Sequence, residues 1–184
     1  LNPEYATAYN NLGIAYSDLK RHDEAITAFN DGLKIDPQYT YAHTQLGNLY
    51  REQKQYDKAL SAYKKLAELS PESAYSFTEV GLTHALQNQI DQAHIAWQTA
   101  LPLFEDDDWD NLHKALYTLA LGHTETAFQQ LDQILQTEVR PKAIDAVLID
   151  ADVLSQCPTP PARLDDFIAK LKAIETPNTE QDAD

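Results

Sequence analysis

The sequence predicts an all-α fold built from antiparallel helix pairs that repeat along the chain. Three glycines, Gly13, Gly47 and Gly81, stand 34 residues apart. Alanines and prolines follow the same step, at Ala25, Ala59 and Ala93 and at Pro3, Pro37 and Pro71. A fixed period of this length is typical of stacked helical repeats, in which each unit buries its apolar side against its neighbours.

Each periodic residue type has a physical reason. Glycine inside a helix costs about 1 kcal/mol relative to alanine, so we expect the second helix to approach closely where a Cβ would block it. The alanines supply small surface for that approach, and the aromatic residues fill the space between helices. Aspartates near the start of each second helix, Asp23, Asp57 and Asp91, are expected to cap it.

The aromatic and apolar positions complete a recognisable motif. Segment 6–39 carries Tyr9, Leu12, Gly13, Tyr16, Ala25, Phe29 and Pro37. Segment 40–73 carries His43, Leu46, Gly47, Tyr50, Ala59, Tyr63 and Pro71. Segment 74–107 carries Phe77, Val80, Gly81, His84, Ala93 and Trp97, with Glu105 in place of the proline. This pattern resembles the tetratricopeptide repeat family, clearly over residues 1–103. The resemblance implies a right-handed superhelical solenoid.

The C-terminal part departs from the motif. Pro102 should end the sixth helix early, and the acidic run 105–108 follows it. Ala115, Ala127 and Leu131 keep the repeat register, which predicts a degenerate fourth unit over 108–140 and a repeat array over 1–140. We expect a capping helix pair at 141–175, a disordered acidic tail at 176–184 and about ten helices in all. Because the chain opens within a repeat, we also expect the array to begin upstream of Leu1.

The resemblance implies that the first helix of each pair lines a concave groove. Asn11 and Gln45 could then bond the backbone of an extended peptide, and Tyr41 and Tyr75 could pack its side chains. The full set of predicted groove residues is Thr7, Asn10, Asn11, Ile14, Tyr41, Thr44, Gln45, Asn48, Arg51, Tyr75, Thr78, Glu79 and Leu82. The alternative interpretation is that these residues solvate the face or pack against another copy or domain.

One subclass of the family is disfavoured. Members that grip the C-terminal carboxylates of chaperones carry Lys and Arg at set groove positions. The matching positions here are Thr7, Asn11, Gln45, Tyr75 and Glu79, of which Asn11 alone fits. Glu79 would repel a carboxylate.

The sequence gives little support for a metal site or a catalytic site. Counted from Asp106, an EF-hand loop would need glycine and glutamate where Asn111 and Tyr117 stand, so an acidic turn capping the next helix is favoured. The six histidines lack zinc-motif spacing, and Cys157 lies in a proline-flanked segment without a nucleophile motif. We therefore predict no catalytic residue, no metal and no cofactor.

The charge and composition of the chain limit the classes of partner that it can bind. The formal charge is −15, of which −4 falls in 1–103 and −11 in 104–184. Such a field disfavours nucleic acid and anionic membranes and favours a neutral or basic protein partner. The single cysteine fits a reducing, cytoplasmic location. No stretch approaches the roughly 18 apolar residues of a membrane helix.

These observations favour a non-catalytic scaffold or adaptor that binds a peptide or protein segment in its groove. The runner-up is a structural or regulatory arm of a larger protein. Such an arm would self-assemble through the exposed face of the first repeat, or would restrain a catalytic domain.

Overall fold

The computed structural model describes residues 3–137 and 139–174, and the predicted tail at 176–184 lies outside this range. All regular structure in the described part is helical, which confirms the predicted all-α class. It consists of α1 (Pro3–Asp18), α2 (His22–Ile35), α3 (Thr40–Glu52), α4 (Tyr56–Leu69), α5 (Ala74–Leu86), α6 (Ile90–Ala100), α7 (Asp108–Ala120), α8 (Thr124–Ile134), α9 (Pro141–Ser155) and α10 (Leu164–Lys172).

The 34-residue period of the sequence is also a period of the backbone. Helices α3, α5 and α7 begin at Thr40, Ala74 and Asp108, each one period after the last. The second helices keep the same step, with starts at His22, Tyr56, Ile90 and Thr124. The helix pair α7–α8 therefore has the spacing of the regular repeats, although its sequence departs from their motif.

The turn inside each pair also repeats one conformation. Lys20, Lys54 and Asn88 have φ values of 58°, 57° and 60°, and Gly122 has 85°. All four are left-handed, a conformation that glycine adopts without steric cost and that other residues adopt at some expense. Gly122 is therefore the member of the set whose residue type suits its backbone best.

The described residues fall into two compact units, which divide after Thr83 within α5. In the first unit α1 packs on α2, α3 packs on α4, and α2 packs on α3. The buried residues of its core include Ala25, Phe29, Ala42 and Leu46.

Close approach at the glycines is confirmed in this first unit. A Cβ built on Gly13 would lie 2.8 Å from Cδ1 and Cε1 of Phe29, and a Cβ on Gly47 would clash with the ring of Tyr63. Both rings are fully buried. Each aromatic residue thus packs on the glycine of its own pair, and the cost of a helical glycine is offset by buried ring area.

The second unit contains the predicted break at Pro102. Helix α6 ends at Ala100, and one turn of 3₁₀-helix, Leu101–Leu103, follows it. Helix α7 packs on α8 and α9, and α10 packs on α9. The rings of Phe128 and Phe167 meet edge to face, with centroids 6.0 Å apart, and so join α8 to α10.

Asp23, Asp57 and Asp91 lie in the first turn of their helices, as expected, but not at the cap positions. Each is the second residue of its helix, and the cap positions hold Arg21, Gln55 and Gln89, none of which makes a side-chain capping bond. The aspartates still favour the helix starts through the dipole. The acidic turn before α7 does act as predicted, because the side chain of Asp107 accepts a 2.8 Å hydrogen bond from the Asp110 amide.

Candidate protein-binding face

The predicted groove residues lie on α1, α3 and the part of α5 that belongs to the first unit. We call the accessible members of this set the inner face. Thr7, Asn11 and Tyr41 are exposed, and Tyr41 exposes 42% of its surface. The half-buried members are Ile14, Thr44, Gln45, Asn48, Arg51 and Tyr75. Hydroxyl, amide and aromatic groups on helices form a surface suited to recognition of polypeptide.

Four of the predicted residues do not lie on an accessible wall, which corrects the sequence-based list. Asn10, Thr78, Glu79 and Leu82 are all buried. The Asn10 amide donates to the Ala6 carbonyl at 2.9 Å and lies against Gly32 of α2. The Thr78 hydroxyl donates to the Tyr75 carbonyl at 2.8 Å. Periodicity assigned these residues to a face of the helix but could not give their depth.

Glu79 and Arg51 form a buried ion pair between α5 and α3. The side chain of Glu79 is 5% exposed and that of Arg51 is 16% exposed. A carboxylate at this depth requires a partner because desolvation of an isolated charge is costly. The pair therefore fixes the position of α5 relative to α3, and it offsets the negative charge of Glu79 on this side of the molecule.

Tyr63 joins this pair in one polar cluster, which consists of Asn48, Arg51, Tyr63 and Glu79. The Tyr63 hydroxyl donates to Oδ1 of Asn48 at 2.6 Å, and the Arg51 guanidinium lies 5.7 Å from the ring centre. Burial raises the pKa of Tyr63 well above its ordinary value, and the charge of Glu79 raises it further. The phenol therefore remains a neutral hydrogen-bond donor to Asn48.

Sequence reasoning assigned Tyr63 to packing alone and missed its hydroxyl. The signal was weak, because the equivalent residue of the first pair is Phe29, which has no polar atom. The amide at Asn48 has Ile14 at the equivalent position of the first pair. The polar pair Tyr63–Asn48 thus replaces an apolar one, and comparing the repeats position by position would have revealed it.

A second buried polar cluster lies in the second unit and was not predicted. It consists of His113 and Tyr117 on α7 and Asp150 on α9. The Tyr117 hydroxyl donates to Oδ2 of Asp150 at 2.6 Å, and Nε2 of His113 lies 3.5 Å from the same oxygen. Nδ1 of His113 lies 2.7 Å from the Trp109 carbonyl, which can accept but cannot donate. The ring also lies 4.0 Å from that of Trp109, so it is enclosed on several sides.

Two other histidines, His43 and His84, have local hydrogen-bond partners. Nε2 of His43 lies 2.9 Å from the Pro37 carbonyl, and Nδ1 of His84 lies 2.6 Å from Oε1 of Gln89. Across 3–137 and 139–174, no three His, Cys, Asp or Glu side chains gather in an arrangement that could hold a metal ion. Burial raises the pKa of the Cys157 thiol to about 11, which keeps it protonated and weakly nucleophilic near neutral pH.

Within the described ranges, no helix combines the length and the apolar character that a membrane span requires.

Paired helices at a 34-residue step, with polar and aromatic side chains on α1 and α3 of the first unit, define a helical-repeat fold. Residues 6–39 and 40–73 each match the tetratricopeptide repeat model. These two consecutive units are therefore tetratricopeptide repeats, as the sequence motif predicted.

Solved structures show the same fold at low sequence identity. A crystal structure of MamA is 19% identical, with a TM-score of 0.59 over 94% of this chain and 92% of that chain. PilW, a type IV pilus biogenesis factor, is 20% identical, with a TM-score of 0.61 over 94% of this chain and 79% of that one. The first repeat domain of Spaghetti (RPAP3), solved with an HSP90 peptide, is 18% identical, with a TM-score of 0.56 over 66% and 97%. No curated protein sequence matches the chain significantly.

Proposed function

We propose that this protein is a non-catalytic interaction module that binds a peptide or protein segment on the inner face of its first unit. The observation that carries the proposal is the exposure of Thr7 and Asn11 on α1, which packs on α2, and of Tyr41 on α3, which packs on α2 and α4. These residues offer hydrogen-bonding and aromatic groups without a structural task that would explain them.

The buried cluster beneath the face supports the same proposal. Asn48 and Arg51 are held by Tyr63 and Glu79, so the C-terminal part of α3 and the middle of α5 form a fixed platform. A rigid platform loses little conformational entropy on binding, which favours affinity.

The charge of the face favours a neutral or basic segment. Arg51 is offset by Glu79, whereas Asp18 and Glu52 at the ends of α1 and α3 are exposed. The Spaghetti structure contains an HSP90 peptide with the sequence SRMEEVD, in which three of the last four residues are acidic. The matching positions here, Thr7, Asn11, Gln45, Tyr75 and Glu79, lack the cations that such a peptide would need. We also propose a cytoplasmic location, because a single free cysteine fits a reducing compartment.

A selection experiment tests the proposal. Twelve-residue peptides selected from a random phage library would be measured against the protein by fluorescence anisotropy. We expect Asn11→Ala, Tyr41→Ala and Gln45→Ala together to weaken binding at least tenfold, because they remove the aromatic contact and both amides. The matched control is Ile95→Ala with Ile149→Ala, two exposed residues of the second unit. Equal binding by the inner-face variant and wild type would refute the assignment.

A second candidate function, self-assembly, is favoured by one specific observation. Tyr5, Tyr9 and Leu12 of α1 are 62%, 37% and 42% exposed. One period later stand Tyr39, His43 and Leu46, of which Leu46 is buried in the core that α2 and α3 share. The stripe on α1 therefore has the composition of a surface that receives another helix.

Sedimentation velocity across concentration distinguishes the two candidates. Self-assembly predicts a concentration-dependent oligomer that Tyr9→Glu with Leu12→Glu converts to monomer. A wild-type monomer at all concentrations would exclude this candidate and leave the peptide-binding proposal standing.

A further inference from the structure

The first unit carries a second concavity, of about 550 Å³, which the inner face does not include. It lies between α2, α3 and α4, and we call it the lysine groove. Its defining residues are Leu33, Leu46, Tyr50, Lys58, Lys64 and Lys65. This volume is within the range of protein pockets that hold small ligands or a few side chains of a partner.

The lysine groove opens on the opposite side of α3 from the inner face. His43, Leu46 and Tyr50 line it, and their spacing of three and four residues places them on one face of the helix. Tyr41, Gln45 and Asn48 occupy the other face by the same spacing rule. One helix therefore separates two distinct surfaces, and occupation of one leaves the other accessible.

The floor of the groove is apolar. Leu46 and Ala62 are buried, and Leu33 and Tyr50 are half-buried. The floor can therefore accept an apolar side chain, and burial of that side chain would contribute to binding in proportion to the area removed from water.

The rim of the groove is cationic. Lys58, Lys64 and Lys65 are exposed on α4, and Glu68 is the one acidic residue that lines the groove. Lys65 pairs with Glu68 at 2.9 Å, and Lys58 donates to the neutral Oε1 of Gln55 at 2.7 Å. Within the described ranges Lys64 has no acidic partner. The rim therefore keeps excess positive charge in a chain whose formal charge is −15.

We propose that the lysine groove binds an acidic segment of another protein, with an apolar side chain of that segment on the floor and its carboxylates on the lysine rim. Charge complementarity selects this occupant, because a basic segment would face three ammonium groups. The apolar floor adds a requirement that a simple polyanion does not meet. This site is independent of the proposed inner-face function, and the partner chemistry of the two surfaces is opposite.

The test uses the whole chain and synthetic peptides of eight residues. The probe has a central leucine flanked by Asp and Glu, and the comparison peptides replace the acids by lysine or the leucine by serine. We expect the acidic leucine peptide to bind in fluorescence anisotropy, the lysine peptide not to bind, and the serine peptide to bind at least fivefold more weakly. Affinity should fall several-fold when NaCl rises from about 50 to about 300 mM, because added salt screens the rim.

Matched variants distinguish an effect of the lysine groove from an effect of the net charge of the whole protein. Lys64→Glu with Lys65→Glu should weaken the acidic leucine peptide at least tenfold. Lys142→Glu with Lys172→Glu changes the net charge equally on exposed residues of the second unit and should change affinity less than twofold. Circular dichroism of both variants verifies folding, and retained binding of an inner-face peptide shows that the first unit is intact.

Several outcomes would overturn the proposal. They are absence of acidic-peptide binding at millimolar concentration, equal losses in the two double variants, and equal binding of the leucine and serine peptides. Tighter lysine-dependent binding of a single-stranded oligonucleotide or an anionic phospholipid vesicle than of the acidic peptide would assign the rim to a different class of partner and would also refute it.

Discussion

The helix pair α7–α8 has the same 34-residue step as α1–α2 and α3–α4, but different residues fill the contact between its two helices. In the first two pairs, glycine lies beneath a large ring, as Gly47 lies beneath Tyr63. The equivalent positions of α7 and α8 hold Ala115 and Leu131, both fully buried. A larger residue on one helix accompanies a smaller one on the other, so volume is conserved across the pair. The combined volume of the two facing side chains therefore maintains the distance between the helices, and no single residue type is required.

The two regions also differ in how they use buried polar groups. In the first unit Arg51 and Glu79 bring opposite formal charges together, with Tyr63 and Asn48 beside them. In the second unit Asp150 receives the Tyr117 hydroxyl and faces His113. Both clusters connect helices that are not neighbours in sequence. They should therefore specify which helices pack together, in addition to the apolar surfaces.

The largest effect is expected at the buried ion pair. Glu79→Ala leaves the Arg51 guanidinium without its carboxylate, and we expect the free energy of unfolding to fall by about 3 kcal/mol. Urea denaturation followed by circular dichroism measures the loss. Arg51→Met together with Glu79→Leu should recover most of it, since neither charge remains. A double variant as unstable as the single one would show that the pair itself is not the cause.

Replacing the Gly47–Tyr63 pair by the alanine and leucine found in α7 and α8 tests the comparison directly. Gly47→Ala forces a Cβ into the Tyr63 ring, and we expect a loss of about 2 kcal/mol from overpacking. In a Tyr63→Leu background, which reproduces the Ala115–Leu131 combination, Gly47→Ala should cost less than half as much. Equal costs in the two backgrounds, measured as a double-mutant cycle in urea, would refute the volume argument.

The second buried cluster should contribute less to the free energy of unfolding than the Arg51–Glu79 ion pair. Asp150→Ala removes the acceptor of the Tyr117 hydroxyl and the group that faces His113, with an expected cost of about 2 kcal/mol. Asp145→Ala, an exposed change on the same helix, is the control and should stay within about 0.5 kcal/mol of wild type. Similar denaturation midpoints for the two variants would argue against a structural role of the cluster.

The smallest effect concerns the repeated left-handed turn. Gly122→Ala should cost about 1 kcal/mol through the backbone alone, because a Cβ there would meet nothing within 4 Å. Asn88→Gly, at the equivalent turn, should be neutral or stabilising by a few tenths of a kcal/mol, since it relieves the same conformation. Thermal melts of the two variants that shift in the same direction would contradict this account.

The sequence predicted the features that depend on local repetition. The glycine–aromatic packing and the helix pairs followed from residues such as Gly13 and Phe29, because a stacked array repeats both its spacing and its contacts. The left-handed turns were not predicted. Gly122 is the only glycine at the four equivalent positions, and Lys20, Lys54 and Asn88 do not indicate a left-handed backbone. The backbone conformation is the same at all four turns, although three different residue types occupy them.

The features that depend on a single distant contact were not predictable. Arg51 and Glu79 were assigned to an open wall, and their pairing depends on how far α5 approaches α3. His113 and Asp150 share no repeat position and come from different helices. A helical period gives the direction of a side chain but not what stands opposite it.

The most direct test of the interaction role follows the side-chain amides of the inner face. In ¹⁵N-labelled protein, a peptide selected from the random library is titrated while the side-chain NH₂ resonances are recorded. We predict that those of Asn11 and Gln45 shift, whereas those of Asn30 near the lysine groove and Gln98 in the second unit do not. Binding that leaves Asn11 and Gln45 unchanged and shifts either control would contradict recognition by the inner face.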